Sequence, residues 1–274
     1  MGMRVRNANI QQKMIVQVEM YDLVYNETNG LYDCNGDVVI DKDLVSPDGK
    51  FLIKFGVVKG DFDCCDVKLT SLEGAPQEVG GDFNCRNNKL TSLAGAPKVV
   101  GGGFYCSDNR LTSLKGTPQV VGGLFNCSYN KLTSLEGAPK EVGEDFDCSF
   151  NQLTSLEGAP QEIGGFFDCS ANNLTSLKGA PQKVGESFDC CINQLTSLEG
   201  APQEVDGYFD CGDNKLTSLE GAPQKVDGDF YCYGNNLVFD EIHFYGCLPD
   251  VIGGELVAGD DCDYELAKEY YNPR

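Results

Sequence analysis

The side chains most able to do chemistry in this chain are its cysteines and aspartates. Fourteen cysteines and a lone histidine, His243, accompany 42 acidic and 21 basic residues, for a net charge of −21. A dense thiol set in a short secreted chain reads as a disulfide framework, and close C-x-x-C pairs read as a metal site. Neither pattern is present. Nine cysteines (Cys64, Cys85, Cys106, Cys127, Cys148, Cys169, Cys190, Cys211 and Cys232) recur every 21 residues. The adjacent pairs Cys64-Cys65 and Cys190-Cys191 point to opposite faces if they lie on strands, which spoils chelation. A periodic thiol of this kind is a small, weakly polar hydrophobe inside a stack, kept reduced as in a cytosolic compartment.

The residue before each periodic cysteine carries the second pattern. It runs Asp63, Asn84, Tyr105, Asn126, Asp147, Asp168, Asp189, Asp210, Tyr231. On neighbouring parallel strands, the four consecutive aspartates stand about 4.8 Å apart. At that range each adjacent pair repels by about 0.8 kcal/mol even in water. Such a column is a stability cost that a basic partner offsets. His243 has no base or nucleophile constellation beside it, so the sequence predicts no catalysis, no cofactor and no metal.

The elements that must position these residues are copies of one unit. Eight occurrences of Leu-Thr-Ser-Leu, each followed by Gly and Pro at fixed offsets, start from Leu69 and repeat without insertion. Within a unit, Phe146 and Cys148 alternate with polar residues, the period-2 mark of a strand with one buried face. Leu132, Leu135 and Val142 supply three more inward side chains. Gly137 sits where the chain must bend, and Pro139 prevents helix from continuing. One unit cannot bury its apolar side chains alone; stacking buries them between neighbours.

Phe-x-Cys-x-x-Asn-x-Leu resembles the L-x-L-x-x-N-x-L core of leucine-rich repeats, across about residues 58–260. The asparagine recurs from Asn88 to Asn235, with Val67 in its place in the first unit. The resemblance implies a repeat solenoid, β-rich with few helices: a leucine-rich-repeat horseshoe with a parallel β-sheet on its concave face. It also implies a buried asparagine ladder bonded to neighbouring backbone, as a buried amide requires. The units are short, like those of bacterial secreted effectors with leucine-rich repeats. Leu-Thr-Ser-Leu-Glu-Gly-Ala-Pro is similar to repeat proteins of tailed-phage genomes. One departure is Val-Gly-Gly-Asp-Phe, which puts an extra residue between the two apolar positions before the strand. Gly80-Gly81-Asp82-Phe83 matches the signature of cyclic dinucleotide synthases, but is one instance of this repeated turn. Calcium β-roll turns, Gly-Gly-x-Gly-x-Asp, are absent.

Three segments follow. Residues 1–57 form a β-rich cap with hairpin signals at Asn29-Gly30, Asn35-Gly36 and Asp48-Gly49; 58–236 form the solenoid; 237–274 hold a degenerate last repeat and a cap. Pro249, Ile252, Gly253, Gly254, Leu256 and Ala258 reproduce the unit after an insertion, and Asp263 to Tyr271 read as a short closing helix. Residues 1–14 lack a signal-peptide apolar region, and no stretch reaches the roughly 20 apolar residues of a membrane span.

The variable positions point to function. Tyr105, Leu124, Tyr129, Phe150, Phe166, Ile192, Tyr208, Tyr231 and Tyr233 interrupt the predicted concave face where other units hold Asp, Gly, Ser or Asn. Exposed aromatic residues beside carboxylates read as a protein interface. The partner-binding set is therefore these nine with Asp147, Asp168, Asp189 and Asp210. The sequence predicts a non-catalytic module holding a protein with a basic or mixed basic/apolar surface, without direct nucleic-acid or membrane binding, in the cytoplasm. The phage resemblance implies an inhibitor of a host defence protein, in the host cytoplasm. The alternative is an acidic mimic that blocks a DNA- or RNA-binding protein. Its carboxylates fall at roughly one per 3.6 Å, half the charge density of duplex DNA at about one per 1.7 Å.

Overall fold

The computed structural model describes residues 18–238 and 248–258. They form two compact units, one built on the residues up to Lys131 with Gly137–Glu141, the other on Leu132–Glu136 and the residues from Val142 onward. Both use the same 21-residue turn, and each turn makes two short strands. In the turn that opens at Leu153 these are Glu162–Ile163 and Phe167–Asp168. Each pairs in parallel with its equivalent one turn on, Ile163 with Val184 and Phe167 with Phe188. The chain therefore winds between a valine sheet and a phenylalanine sheet. The phenylalanine strand is the alternating one that the sequence predicts. The valine sheet is additional, and Gly164-Gly165, the corner between the two, accounts for the extra residue in Val-Gly-Gly-Asp-Phe. Helix is confined, among the described residues, to 18–20 and a 3-10 turn at Lys42–Leu44.

Stacking makes the core. In the second unit Phe167, Phe188, Phe209 and Phe230 are fully buried, and successive ring centroids lie 5.3, 5.5 and 5.4 Å apart. Leu174, Leu177, Cys169 and Val184 fill the space beside them. All twelve described cysteines are free thiols, and Cys65 is the one among them that is not buried. Several column thiols donate to the carbonyl of the next turn, as Cys148 Sγ does to Asp168 O at 3.2 Å. Burial pushes the Cys148, Cys169 and Cys190 thiols well above their ordinary range, so they act as packing groups and not as thiolates.

The asparagine ladder holds the turns in register. Asn172 Oδ1 accepts from Leu153 N at 2.9 Å, while its Nδ2 donates to the carbonyls of Cys148, Cys169 and Ser170. One side chain thus ties the end of its own strand to Leu153, where its turn opens, and to Cys148 of the preceding turn. Gly179, at the bend after Leu-Thr-Ser-Leu, has φ +90°, and a Cβ there would lie 2.6 Å from Glu157 N. Both the left-handed backbone and the close approach require glycine.

The parallel path begins before the regular repeats. Val24–Asn26 and Leu31–Cys34 make an antiparallel hairpin around Asn29-Gly30. Leu31–Cys34 then pairs in parallel with Phe55–Val58, and Val38–Val39 with Phe62–Asp63. Asn35-Gly36 is accordingly a corner between the two sheets and not a hairpin. Asp48-Gly49 makes a tight turn closed by a single antiparallel bridge, Val45 to Phe51. At the far end Val251–Ile252 and Leu256–Val257 pair with Lys225–Val226 and Phe230–Tyr231, one more turn in the same path. The expected closing helix from Asp263 and the site of His243 lie outside the described residues.

Candidate functional site

Strand alternation in the phenylalanine sheet sends Phe and Cys inward and the residue between them outward. In the second unit this aligns four carboxylates on consecutive strands, with Asp147 opposite Asp168, Asp168 opposite Asp189, and Asp189 opposite Asp210. Each also closes a local turn. One oxygen accepts the backbone N–H two residues on: Ser149 to Asp147 at 3.0 Å, Ser170 to Asp168 at 2.8 Å, Cys191 to Asp189 at 2.9 Å, Gly212 to Asp210 at 2.8 Å. This Asx turn explains why the column holds Asp or Asn in seven of nine turns. The carboxylate charge is not explained by it, because Asn84 and Asn126 accept the same bond.

Burial sets the column's electrostatics. Desolvation pushes Asp168 up to about 7, helped by the Asp147 and Asp189 charges and opposed by hydrogen bonds from Ser170. Asp210 is pushed up to about 6, again mainly by desolvation, and Asp189 is raised for the same reason. Aromatic side chains flank the column. Phe166 and Tyr208, each just before an inward Phe, bring their rings within 5.8 Å of one another beside the column. Tyr208 in turn meets Tyr231 edge-on at 6.0 Å. The Tyr208 hydroxyl is raised to about 12 by burial and the neighbouring aspartates. On the other side of the column, Tyr233 packs over Gly212, where a Cβ would lie 2.6 Å from its ring, and its hydroxyl donates to Asp210 at 3.4 Å. Tyr231 donates to Asp229 at 2.7 Å.

The next column out is strained. Phe150 and Ile192 have φ +51° and +52°, a left-handed conformation that suits the Asp, Asn and Gly of five other turns and that Tyr129 and Ala171 share. They are 46% and 53% exposed. Local structure favours neither residue there, and a β-branched isoleucine least of all.

Of the thirteen residues singled out in the sequence, ten stand in the second unit: the four aspartates, Phe150, Phe166, Ile192, Tyr208, Tyr231 and Tyr233. Tyr105, Leu124 and Tyr129 belong to the first. There Tyr105 borders a cavity of about 380 Å³ with Asp37, Asp61, Asp63, Asp82 and Arg86. Leu124 is half-buried and Tyr129 is exposed. The aspartates just before each inward Phe are spent on the neighbouring turn. Asp61 accepts from Asp82 N, Asp82 from Gly103 N, and Asp145 from Phe166 N. Sequence reasoning missed Cys191, which turns outward as alternation requires and joins Asp189 and Asp210. These three place a thiol and two carboxylates within 4.8 Å of one another, a set that could hold a metal ion. Its signal was a second cysteine directly after the periodic one, at a position that four other turns fill with Ser.

Two parallel sheets joined by 21-residue turns, with a leucine core and a buried asparagine ladder, define a leucine-rich-repeat solenoid. No family model and no curated protein matches the chain. Among solved structures it is similar to YopM from Yersinia enterocolitica WA-314, with a TM-score of 0.51 and 22% sequence identity over 75% of this chain. The match covers 46% of that protein, so the chain spans less than half of its length. The likeness is one of fold, and the fold is that of a leucine-rich-repeat protein with 21-residue units.

Proposed function

We propose that this chain is a non-catalytic binding module that holds another protein on the outer face of the phenylalanine sheet of its second unit. The contrast between the two sheets carries the reading. On the valine sheet the outward residues Glu162, Lys183, Glu204 and Lys225 alternate in sign, with Glu162 opposite Lys183 and Glu204 opposite Lys225. On the phenylalanine sheet like charges stand side by side, although asparagine closes the same turn without the repulsion. Strained, exposed Phe150 and Ile192 stand on the same side of the turn. A partner with a basic or mixed basic/apolar surface offsets both costs. The similarity of Leu-Thr-Ser-Leu-Glu-Gly-Ala-Pro to tailed-phage repeat proteins supports a phage-encoded inhibitor that captures a host defence protein in the host cytoplasm.

Affinity capture from host lysate tests this, with wild type compared against Phe166→Ser/Tyr208→Ser. The expected result is a protein retained by wild type through low and high salt and lost by the variant. Identical retention by both baits contradicts the reading. A nucleic-acid-binding protein released steeply by salt identifies the acidic-mimic alternative instead.

A further inference from the structure

We infer that the occupant of the second unit's carboxylate column is an α-helix, laid along the column, with a narrow stripe of Lys or Arg flanked by apolar residues. This rests on the reading of that face as a partner surface and specifies the partner's form.

Spacing is the first argument. Asp147, Asp168, Asp189 and Asp210 stand on adjacent parallel strands, so three intervals of about 4.8 Å give a span of about 14 Å. Helical residues i, i+3, i+7 and i+10 fall within one stripe and, at a 1.5 Å rise, span about 15 Å. Four same-face residues of an extended strand span about 20 Å. The helix keeps all four charges in step with the column, whereas the strand loses register by more than one full interval.

The flanks are the second. The column runs between two rows of side chains, two or three residues away along the chain. Phe166 and Tyr208 lie in one row, beside Asp168 and Asp210; the other holds Cys191 and, one residue further on, exposed Phe150 and Ile192. Apolar groups alternate sides from turn to turn: Phe150, Phe166, Ile192, Tyr208. A helix seated on the carboxylates therefore meets apolar surface on both shoulders. Each carboxylate uses one oxygen in its own Asx turn, which holds the column in place for this contact.

Two 18-residue peptides of identical composition, both rich in Ala and Leu, test the inference by fluorescence anisotropy at low salt. One carries Lys at i, i+3, i+7 and i+10; the other carries Lys at i, i+2, i+4 and i+6, which scatters the charge around the helix. The phased peptide is expected to bind the full-length protein at least about tenfold tighter. Asp168→Asn/Asp189→Asn, which keeps the Asx turns, should remove that advantage, and a central proline in the phased peptide should remove it too. Glu162→Gln/Glu204→Gln on the valine sheet should leave it in place. Equal binding of both peptides, sensitive to Asp168→Asn/Asp189→Asn, overturns the helix and leaves the basic-partner face standing. Absence of binding by the phased peptide also overturns the helix, while the capture experiment still reports on the face. Binding insensitive to Asp168→Asn/Asp189→Asn overturns both.

Discussion

Asn172→Ala should destabilise the stack by about 4 kcal/mol. The substitution removes four bonds at once, one accepted from Leu153 N and three donated to the carbonyls of Cys148, Cys169 and Ser170. A buried N–H left without an acceptor costs about 1–3 kcal/mol, and each lost bond to a carbonyl about 0.5–1.5 kcal/mol. Asn172→Asp separates the two halves of the role. It keeps an acceptor for Leu153 N but turns a carboxylate oxygen toward three carbonyls, so at neutral pH it should cost at least as much as alanine. Urea unfolding followed by far-UV circular dichroism gives the stabilities, and hydrogen exchange at the Leu153 amide reports the site. In a stack held by nearest-neighbour interfaces, exchange should rise first at turns touching residue 172. A loss below about 1 kcal/mol for alanine, or full rescue by aspartate, refutes the account of the ladder.

Four further outcomes follow from the same geometry. Asp168 and Asp210 are raised to about 7 and about 6, so between pH 4 and 7 the folded state binds more protons than the unfolded chain, and stability falls as pH rises through that window. Melting temperature should drop from pH 5 to pH 8, and Asp168→Asn should flatten the profile and stabilise at pH 8 by on the order of 1–3 kcal/mol; a rise with pH contradicts this. Ile192→Asn should stabilise the protein by about 1 kcal/mol, by relieving a left-handed isoleucine, while weakening partner retention, read by thermal melts beside capture. Gly179→Ala should cost at least about 2 kcal/mol in urea unfolding. Under native alkylation read by mass spectrometry, Cys65 should label ahead of every other described cysteine; equal labelling of the buried cysteines without denaturant would argue against a packed thiol column.

The repeat made most of the architecture legible. Leucines 21 residues apart, a Phe-x-Cys alternation and a glycine at each bend leave stacked parallel strands as the arrangement that buries their side chains. The valine strand was hidden because it brings one inward apolar residue, where Phe-x-Cys brings two; only its parallel partners, such as Ile163 against Val184, reveal it. Asn35-Gly36 reads as a hairpin because a corner between sheets uses the same residues as a turn within one. The aspartate column was visible, but its Asx-turn role was not. Asp63, Asn84 and Asn126 carry that signal, since Asp and Asn share the side-chain oxygen that accepts the N–H two residues on. Local structure accounts for the shape of the side chain and not for its charge. The strain at Phe150 and Ile192 could be found only from backbone angles.

The proposed seat of the partner is the phenylalanine sheet of the second unit. Site-specific photo-crosslinking tests it most directly, with benzoylphenylalanine introduced in turn at Ile192, which is exposed beside the carboxylate column, and at Lys183, which is exposed on the valine sheet. A crosslinked complex is expected from position 192 and none from position 183. Crosslinking from position 183 alone, or equally from both, contradicts it.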